Sequence, residues 1–382
     1  MARSALVLGA GIMGLSTAWA LRRRGWDVEV VDQDPVPNPR GASCDHHRLI
    51  RHAYGGAAGY MRMVDPAHAA WDLLWRDLGE THYVETGVLA LASARGTGWM
   101  TESRVALTAH GMPPADLDAA AIAARFPMFD PAGIAEGFHL PRGGVLLAER
   151  ILAALVRRCA ERGVAFRRAR VTEADPERGW LHLDTGEAVA ADMLVLAAGP
   201  WGPRLLPGLA GRVAASRQIV LYLEPPPALR GAWADAPMLL DKGTTGVGFY
   251  AVPPVAGTPL KLGDHRFSLS GNPEAEPREA SAAERDGVLA LAAGRLRDLG
   301  AYRVLGARAC YYDVEPEERF ILAPLGAHGV VMSGFSGHGF KFGALLGLAM
   351  ARALGDPDLA AALPAWAAGQ APPPPGLLAD LA

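Results

Sequence analysis

The amino-acid sequence predicts an α/β protein of two domains: one discontinuous and built on a parallel sheet, the other mainly antiparallel β. Three observations carry this reading. The first 34 residues run strand, glycine turn, helix, strand. Residues 217–265 alternate apolar and polar side chains between Pro and Gly clusters, the mark of antiparallel strands. A chain of 382 residues is also too long for one minimal domain.

Ala5–Leu8 is a short buried strand, followed by a glycine turn and an apolar-periodic helix from Met13 to Arg24. Gly25 stops that helix, and Val28–Val31 is a second strand closed by Asp32. Residues 33–47 form a polar loop rich in Pro, Gly and Asp. A helix over Pro66–Leu78 carries Trp71 and Trp75 on one face. Val88–Ala92 is a strand, Ala119–Arg125 is helical, and Met112–Pro114 is a turn. Helical periodicity returns at Leu146–Arg162, and Met193–Ala198 is a buried strand running into Gly199. After the antiparallel stretch, a helix spans Ser281–Leu296. The C-terminal part has a strand at Val330–Met332, a glycine loop and the apolar helix Ala344–Leu354. Pro372–Pro375 reads as an extended surface segment. The first domain is thus expected in residues 1–82, 141–212 and 301–382, and the second, substrate-binding one in 83–140 and 213–300.

Composition narrows the function. Half the residues are hydrophobic, 20% are charged and the formal net charge is -3. That balance gives nucleic acid or an anionic membrane no electrostatic footing. No apolar run is long enough to span a bilayer, and the apolar start reads as a first strand, not a signal peptide. Cys44, Cys159 and Cys310 are few and far apart, as in a reducing compartment. A cytoplasmic monomer without a membrane or nucleic-acid partner is expected.

Gly9-Ala10-Gly11-Ile12-Met13-Gly14 follows a strand and opens a helix. The first glycine permits a tight turn, the second a close approach of backbone to pyrophosphate, and the third close packing of the helix. Phosphate then sits on the positive helix N-terminus. Asp32, at the end of the second strand, is placed to bond the adenosine ribose. This is a Rossmann-type dinucleotide site, which by itself fits FAD or NAD equally.

Three further segments bear on that choice. Arg48-Leu49-Ile50-Arg51-His52-Ala53-Tyr54-Gly55, Cys310-Tyr311-Tyr312-Asp313-Val314-Glu315-Pro316 and Phe335-Ser336-Gly337-His338-Gly339-Phe340-Lys341-Phe342 resemble, in order and spacing, segments of the monomeric sarcosine oxidase and N-methyltryptophan oxidase family. Tyr250 and Lys261-Leu262-Gly263-Asp264-His265 resemble that family's active-site strand pair. The resemblance covers nearly the whole chain. It implies bound FAD, oxidation of a C–N bond of a small amino acid or amine to an imine, and reduction of O2 to hydrogen peroxide. It further implies a thioether from Cys310 to the flavin, for which Arg48 is the cation expected to lower the thiol pKa.

By the same resemblance Arg51 and Lys341 clamp the substrate carboxylate, where Arg supplies a planar fork. Lys261 stands at the flavin edge and activates oxygen. His265 and Tyr250 line the same cavity, and Arg48 lies against the flavin. Ser43, Gly199, Trp201, Gly337, His338, Gly339, Phe340 and Lys341 contact the cofactor, and the Val171 backbone reaches the adenine. The glycine loop before the last helix offers amides and a positive helix end to the anionic reduced flavin.

The chain departs from the family at Ser43-Cys44-Asp45-His46-His47, one residue shorter, with His47 at a threonine position. It departs again at Gly56, where an acid that steadies the first arginine is replaced. Cys44, Asp45, His46 and His47 have no second ligand cluster at metal spacing, so no metal is expected. A flavin dehydrogenase that uses another electron acceptor is the main alternative. A nicotinamide dehydrogenase leaves the Cys310 and Gly337–Lys341 segments unexplained, and a non-catalytic flavin subunit leaves the four polar residues Arg51, Lys261, His265 and Lys341 without a role.

Overall fold

The computed structural model describes residues 2–94, 96–243 and 247–381. The N-terminal unit forms as read: strand Ser4–Leu8, helix Ile12–Arg23 and strand Asp27–Asp32. These strands join a six-stranded sheet in the order 321–324, 329–333, 193–196, 4–8, 27–32, 165–168. Its pairings are parallel except for Ile321–Pro324 against Gly329–Ser333. The glycine turn lies at the carboxyl end of the central strand, where open α/β sheets bind ligands.

Helix Ile12–Arg23 is buried from Ile12 to Leu21, so it is apolar nearly all round and packs on several sides. Helix Gly343–Ala353 lies against it. The approach is close because Gly347 carries no side chain: a Cβ there would stand 2.5 Å from the Ser16 carbonyl carbon. This contact brings the 335–342 loop, far away in sequence, beside the glycine turn.

A second, eight-stranded sheet runs in the order 303–314, 214–224, 260–264, 249–252, 238–241, 88–92, 136–140, 115–117. It is antiparallel apart from the 88–92 and 238–241 pair. The long strand Arg303–Val314 pairs along its length with Ala214–Glu224. A separate core of Leu221, Leu239, Phe249, Leu262 and Trp233 lies beneath this sheet. Helix Ala282–Ala292 is started by a capping box in which the Ser281 hydroxyl accepts from the Glu284 amide and the Glu284 carboxylate accepts from the Ser281 amide.

Three elements differ from expectation. The helix expected at Pro66 begins at Ala58 and runs through the proline. Pro66 removes one internal hydrogen bond, and the helix persists because Met61, Met63, Val64, Ala67, Ala70 and Trp71 are buried. Helix Thr97–Ala109 adds an element that the sequence pattern does not announce, since it buries little beyond Met100, Ser103 and Leu107. Helix Pro357–Ala367 carries a readable start signal, Asp356-Pro357: the Asp356 side chain accepts from the amides of Asp358 and Leu359.

Candidate active site

Two adjoining cavities meet at Arg48, Tyr312, Gly337 and Phe340. The first is a long cleft. Its lining includes Asp32, Asn38 and the buried Val171, the turn residues Gly9, Gly11, Ile12 and Met13, and Gly199, Trp201, Gly337, Gly339 and Phe340. Gly9 has φ +101, and a Cβ there would stand 2.4 Å from the Ala197 carbonyl oxygen, so the turn demands glycine. The same is true of Gly14 for steric reasons alone, its Cβ position being 1.9 Å from the Gly9 oxygen, although Gly14 does not itself reach the cleft.

Asp32 holds this turn from inside. Its carboxylate accepts from the Ala10 amide at 2.8 Å, the Asp34 amide at 3.0 Å and the Asn38 side chain at 2.8 Å. Burial raises its pKa against the pull of these donors. The Ser43 hydroxyl accepts from the Ile12 amide at 3.0 Å and so caps the helix that faces the cleft. Trp201 is fixed by its indole donating to Glu274 at 2.9 Å.

The second cavity, about 480 Å³, lies between the two sheets' loops. Arg51, Tyr250, Lys261, His265, His338 and Lys341 all line it. His338 and Lys341, expected to touch the cofactor, thus face this cavity and not the cleft. Arg51 follows strand Arg48–Ile50, and Lys341 sits in a 3₁₀ turn anchored by the Trp71 indole, which donates to the Lys341 carbonyl at 2.7 Å. The two cations flank one ring: the Arg51 guanidinium carbon is 4.6 Å from the Tyr54 centroid and the Lys341 Nζ 5.4 Å. Lys341 donates to the His338 carbonyl at 2.8 Å, while the buried Nη1 of Arg51 has no hydrogen-bond partner among the described residues. Burial, and then mutual repulsion, pulls Lys341 well below the ordinary lysine range. Such a pair is short of an anion.

His265 is held neutral: burial, then Lys242 and Arg51, push its pKa down to about 3. His338 is neutral for the same reasons, with Lys341 the nearer cation. The rings of Tyr250 and His265 lie 5.7 Å apart.

The residue that sequence reasoning passed over is Asp45. It is almost fully buried and central. Lys261 donates to its Oδ2 at 2.5 Å, Arg48 pairs with the same oxygen, and Tyr222 donates to Oδ1 at 2.7 Å. Burial works to raise the Asp45 carboxyl, but Lys261 and Arg48 together hold it well below the usual carboxylate range. Its neighbours are engaged elsewhere: His46 pairs with Glu149, and the His47 ring bonds the Pro259 carbonyl at 3.1 Å. No group of three metal-ligating side chains gathers among the described residues.

Cys310 departs from expectation in its ionisation. Its thiol is buried on strand Arg303–Val314 near Arg48, without itself lining either cavity, and burial raises its pKa; the Arg48 charge opposes this without overcoming it. Tyr312, two residues on and therefore on the same strand face, reaches both cavities. Gln218, Trp99, Lys242 and Glu318 also line the second cavity, and no motif in the sequence points to them.

A family model described as FAD dependent oxidoreductase matches residues 4–353. Monomeric sarcosine oxidase of Bacillus sp. (strain NS-129) is 26% identical over 360 residues, covering 91% of each chain. N-methyl-L-tryptophan oxidase of Yersinia pestis (strain Pestoides F) is 27% identical over 349 residues, covering 90% of this chain and 92% of that one. Among solved structures, fructosamine oxidase (Amadoriase II) from Aspergillus fumigatus superposes with a TM-score of 0.79 at 20% identity, over 100% of this chain and 89% of that one.

Proposed function

The chain belongs to the FAD dependent oxidoreductase family, and we propose that it oxidises the C–N bond of a small secondary amino acid, N-methylated or cyclic, to an imine. The observation that carries this is the pair Arg51 and Lys341: two cations against the Tyr54 ring, one half-buried and one buried, with no ion-pair partner among the described residues, in a cavity that opens on the dinucleotide cleft. Sarcosine and related N-methyl amino acids present a carboxylate next to the C–N bond, as this geometry requires. The names of the relatives point the same way. In this reading the six-stranded sheet and its helices form the cofactor domain, and most of the eight-stranded sheet forms the substrate domain.

The cleft fits FAD: a glycine-only turn, a capped helix N-terminus and an acid at the ribose end are all in place. Asp32, Gly11, Ser43, Val171, Trp201, Gly337, Gly339 and Phe340 would hold it. FAD supplies the two-electron acceptor that the amino-acid side chains lack. The protein's own part is placement and electrostatics. Arg51 and Lys341 fix the carboxylate and thereby the position of the reacting carbon. The same cations, together with Lys242, disfavour an ammonium and so favour the neutral amine whose lone pair is needed. Neutral His265 and the Tyr250 hydroxyl add polar contacts without adding charge. In the overall balance the amine loses two electrons and two protons, and O2 gains both to give hydrogen peroxide. A panel of secondary amino acids assayed for peroxide tests the reading directly.

Lys261 is proposed to stabilise charge developing on oxygen. Exchange of Lys261 for Met is then expected to slow reoxidation of the reduced enzyme far more than its reduction by substrate, as read by stopped-flow absorbance. The Asp45–Lys261 pair favours a second reading, in which the lysine charge is neutralised and electrons pass to an acceptor other than oxygen. Unchanged reoxidation in the Lys261→Met variant selects it.

We also propose a thioether between the Cys310 sulfur and the 8α-methyl carbon of the flavin, supported by the segment around this cysteine and by the nearby Arg48; the S–H and one methyl C–H would be broken, and the two electrons and two protons would pass through the flavin to O2. Acid-denatured protein is expected to keep its yellow colour on the polypeptide, and Cys310→Ala to release it. Full release of flavin from the unaltered chain overturns the linkage.

A further inference from the structure

The amino-acid cavity holds more positive charge than one carboxylate answers. Five cationic side chains line it: Arg48, Arg51, Lys242, Lys261 and Lys341. Arg48 and Lys261 share the single carboxylate of Asp45, which offsets one of their two charges. Of the carboxylates in the wall, Asp264 is paired with Arg266 at 3.2 Å and Glu317 with Arg319 at 2.5 Å. Among the described residues this leaves Glu318 alone against Arg51, Lys242 and Lys341. With Asp45 and Glu318 each offsetting one of the five, the excess is three positive charges. A monoanionic amino acid removes one and leaves two in a cavity walled by Leu240, Tyr54 and Trp99.

Lys242 is the unassigned member of this set. It sits just past strand Met238–Asp241, and its Nζ lies 4.6 Å from the Trp99 ring centroid. It is therefore held over an aromatic wall of the cavity and does not reach away into solvent. Arg51 and Lys341 gather on a different ring, that of Tyr54. The cavity thus offers two separate cationic positions, one on Tyr54 and one on Trp99. Burial and the Arg51 charge, opposed by Glu318, hold the Lys242 ammonium down to about 8.

We propose that this cavity takes a dianionic substrate, a secondary amino acid bearing a second carboxylate, and that Lys242 binds the second anion. The proposal rests on the reading of the cavity as an amino-acid site and narrows it to an acidic substrate class. The α-carboxylate meets Arg51 and Lys341, and the distal carboxylate meets Lys242 against Trp99. The dianion then offsets two of the three excess charges.

The test uses the flavin-loaded enzyme and non-oxidisable ligands: α,ω-dicarboxylates from malonate to adipate, each beside its monomethyl ester. The two members of a pair differ by one charge at nearly constant size. Affinity is read by calorimetry and by perturbation of the visible flavin spectrum. At least one dicarboxylate is expected to bind about tenfold or more tightly than its ester. In Lys242→Gln that ratio is expected to fall toward one, and in Lys242→Arg to be largely kept. Monocarboxylates that bind with no dicarboxylate preference overturn the proposal and leave the amino-acid reading standing. So does a preference that survives in Lys242→Gln. If neither ligand of any pair binds, the carboxylate cavity itself is refuted and the proposal falls with it.

Discussion

Replacement of Asp45 by asparagine is expected to destabilise the folded chain by about 3–5 kcal/mol, because it leaves two buried cations facing each other without the carboxylate between them. The amide keeps the shape of the side chain and one acceptor for the Tyr222 hydroxyl, so the loss isolates charge from packing. Asp45 bridges the loop before strand Arg48–Ile50 and strand Leu260–Asp264 of the eight-stranded sheet through Lys261. Its loss therefore acts where the two cavities meet. Thermal or denaturant unfolding of the flavin-free chain measures the effect, expected as a fall of several degrees or more in melting temperature. Removing Lys261 as well is expected to recover part of it, since the orphaned charge goes with its partner. The pH dependence has a definite sign. The folded-state pKa of Asp45 is depressed, so its contribution is complete above the ordinary carboxylate range and is lost as pH falls through the depressed value. The gap between the two proteins is expected to narrow on acidification below about pH 4. Equal stability of the two at neutral pH refutes an ionised Asp45 bridge.

Asp45 also shows where reading the sequence stops. The glycine turn, the first helix and its flanking strands were legible because their physics is local: a turn needing φ above zero, a 3.6-residue period, two short apolar runs. The antiparallel stretch was legible from alternation. A buried ion pair 216 residues apart has no local trace, and the string around Asp45 looks in sequence like a failed metal motif. Nothing near Lys242 in sequence announces Trp99, which is delivered by a helix of weak periodicity. Cys310 lies in the expected surroundings, near Arg48, yet its pKa moves in the opposite direction, since burial depth cannot be read from a cation in a motif. Arg51 and Lys341 are paired in sequence only through a resemblance. Their shared ring, Tyr54, depends on the contact at Gly347 that brings the last helix against the first.

Loss of the Arg51 side chain is expected to weaken binding of simple carboxylates by at least about tenfold. The guanidinium makes a charge-assisted, partly desolvated contact of a kind that contributes roughly 1.5–3 kcal/mol, and about 1.4 kcal/mol corresponds to one decade in affinity. The geometry makes this figure a lower bound. Arg51 is half-buried with one buried nitrogen unpartnered among the described residues, and only the more distant charge of Glu318 opposes its own, so a ligand carboxylate would be its direct anion. Lys341 cannot replace it, because one of its donors is committed to the His338 carbonyl and burial disfavours its charged form. Competitive carboxylates without an oxidisable amine are expected to perturb the flavin spectrum of the unaltered enzyme and to do so only at much higher concentration in Arg51→Ala. Arg51→Lys is expected to restore binding in part, since the charge returns without the planar fork. Lys341→Met is expected to act in the same direction as the alanine variant. Amines lacking a carboxylate are expected to be nearly indifferent to all three changes, and this contrast is the decisive measurement. If carboxylate-bearing and carboxylate-free ligands weaken together, Arg51 and Lys341 serve the fold or the flavin, and the assignment of an amino-acid substrate loses the observation that carries it.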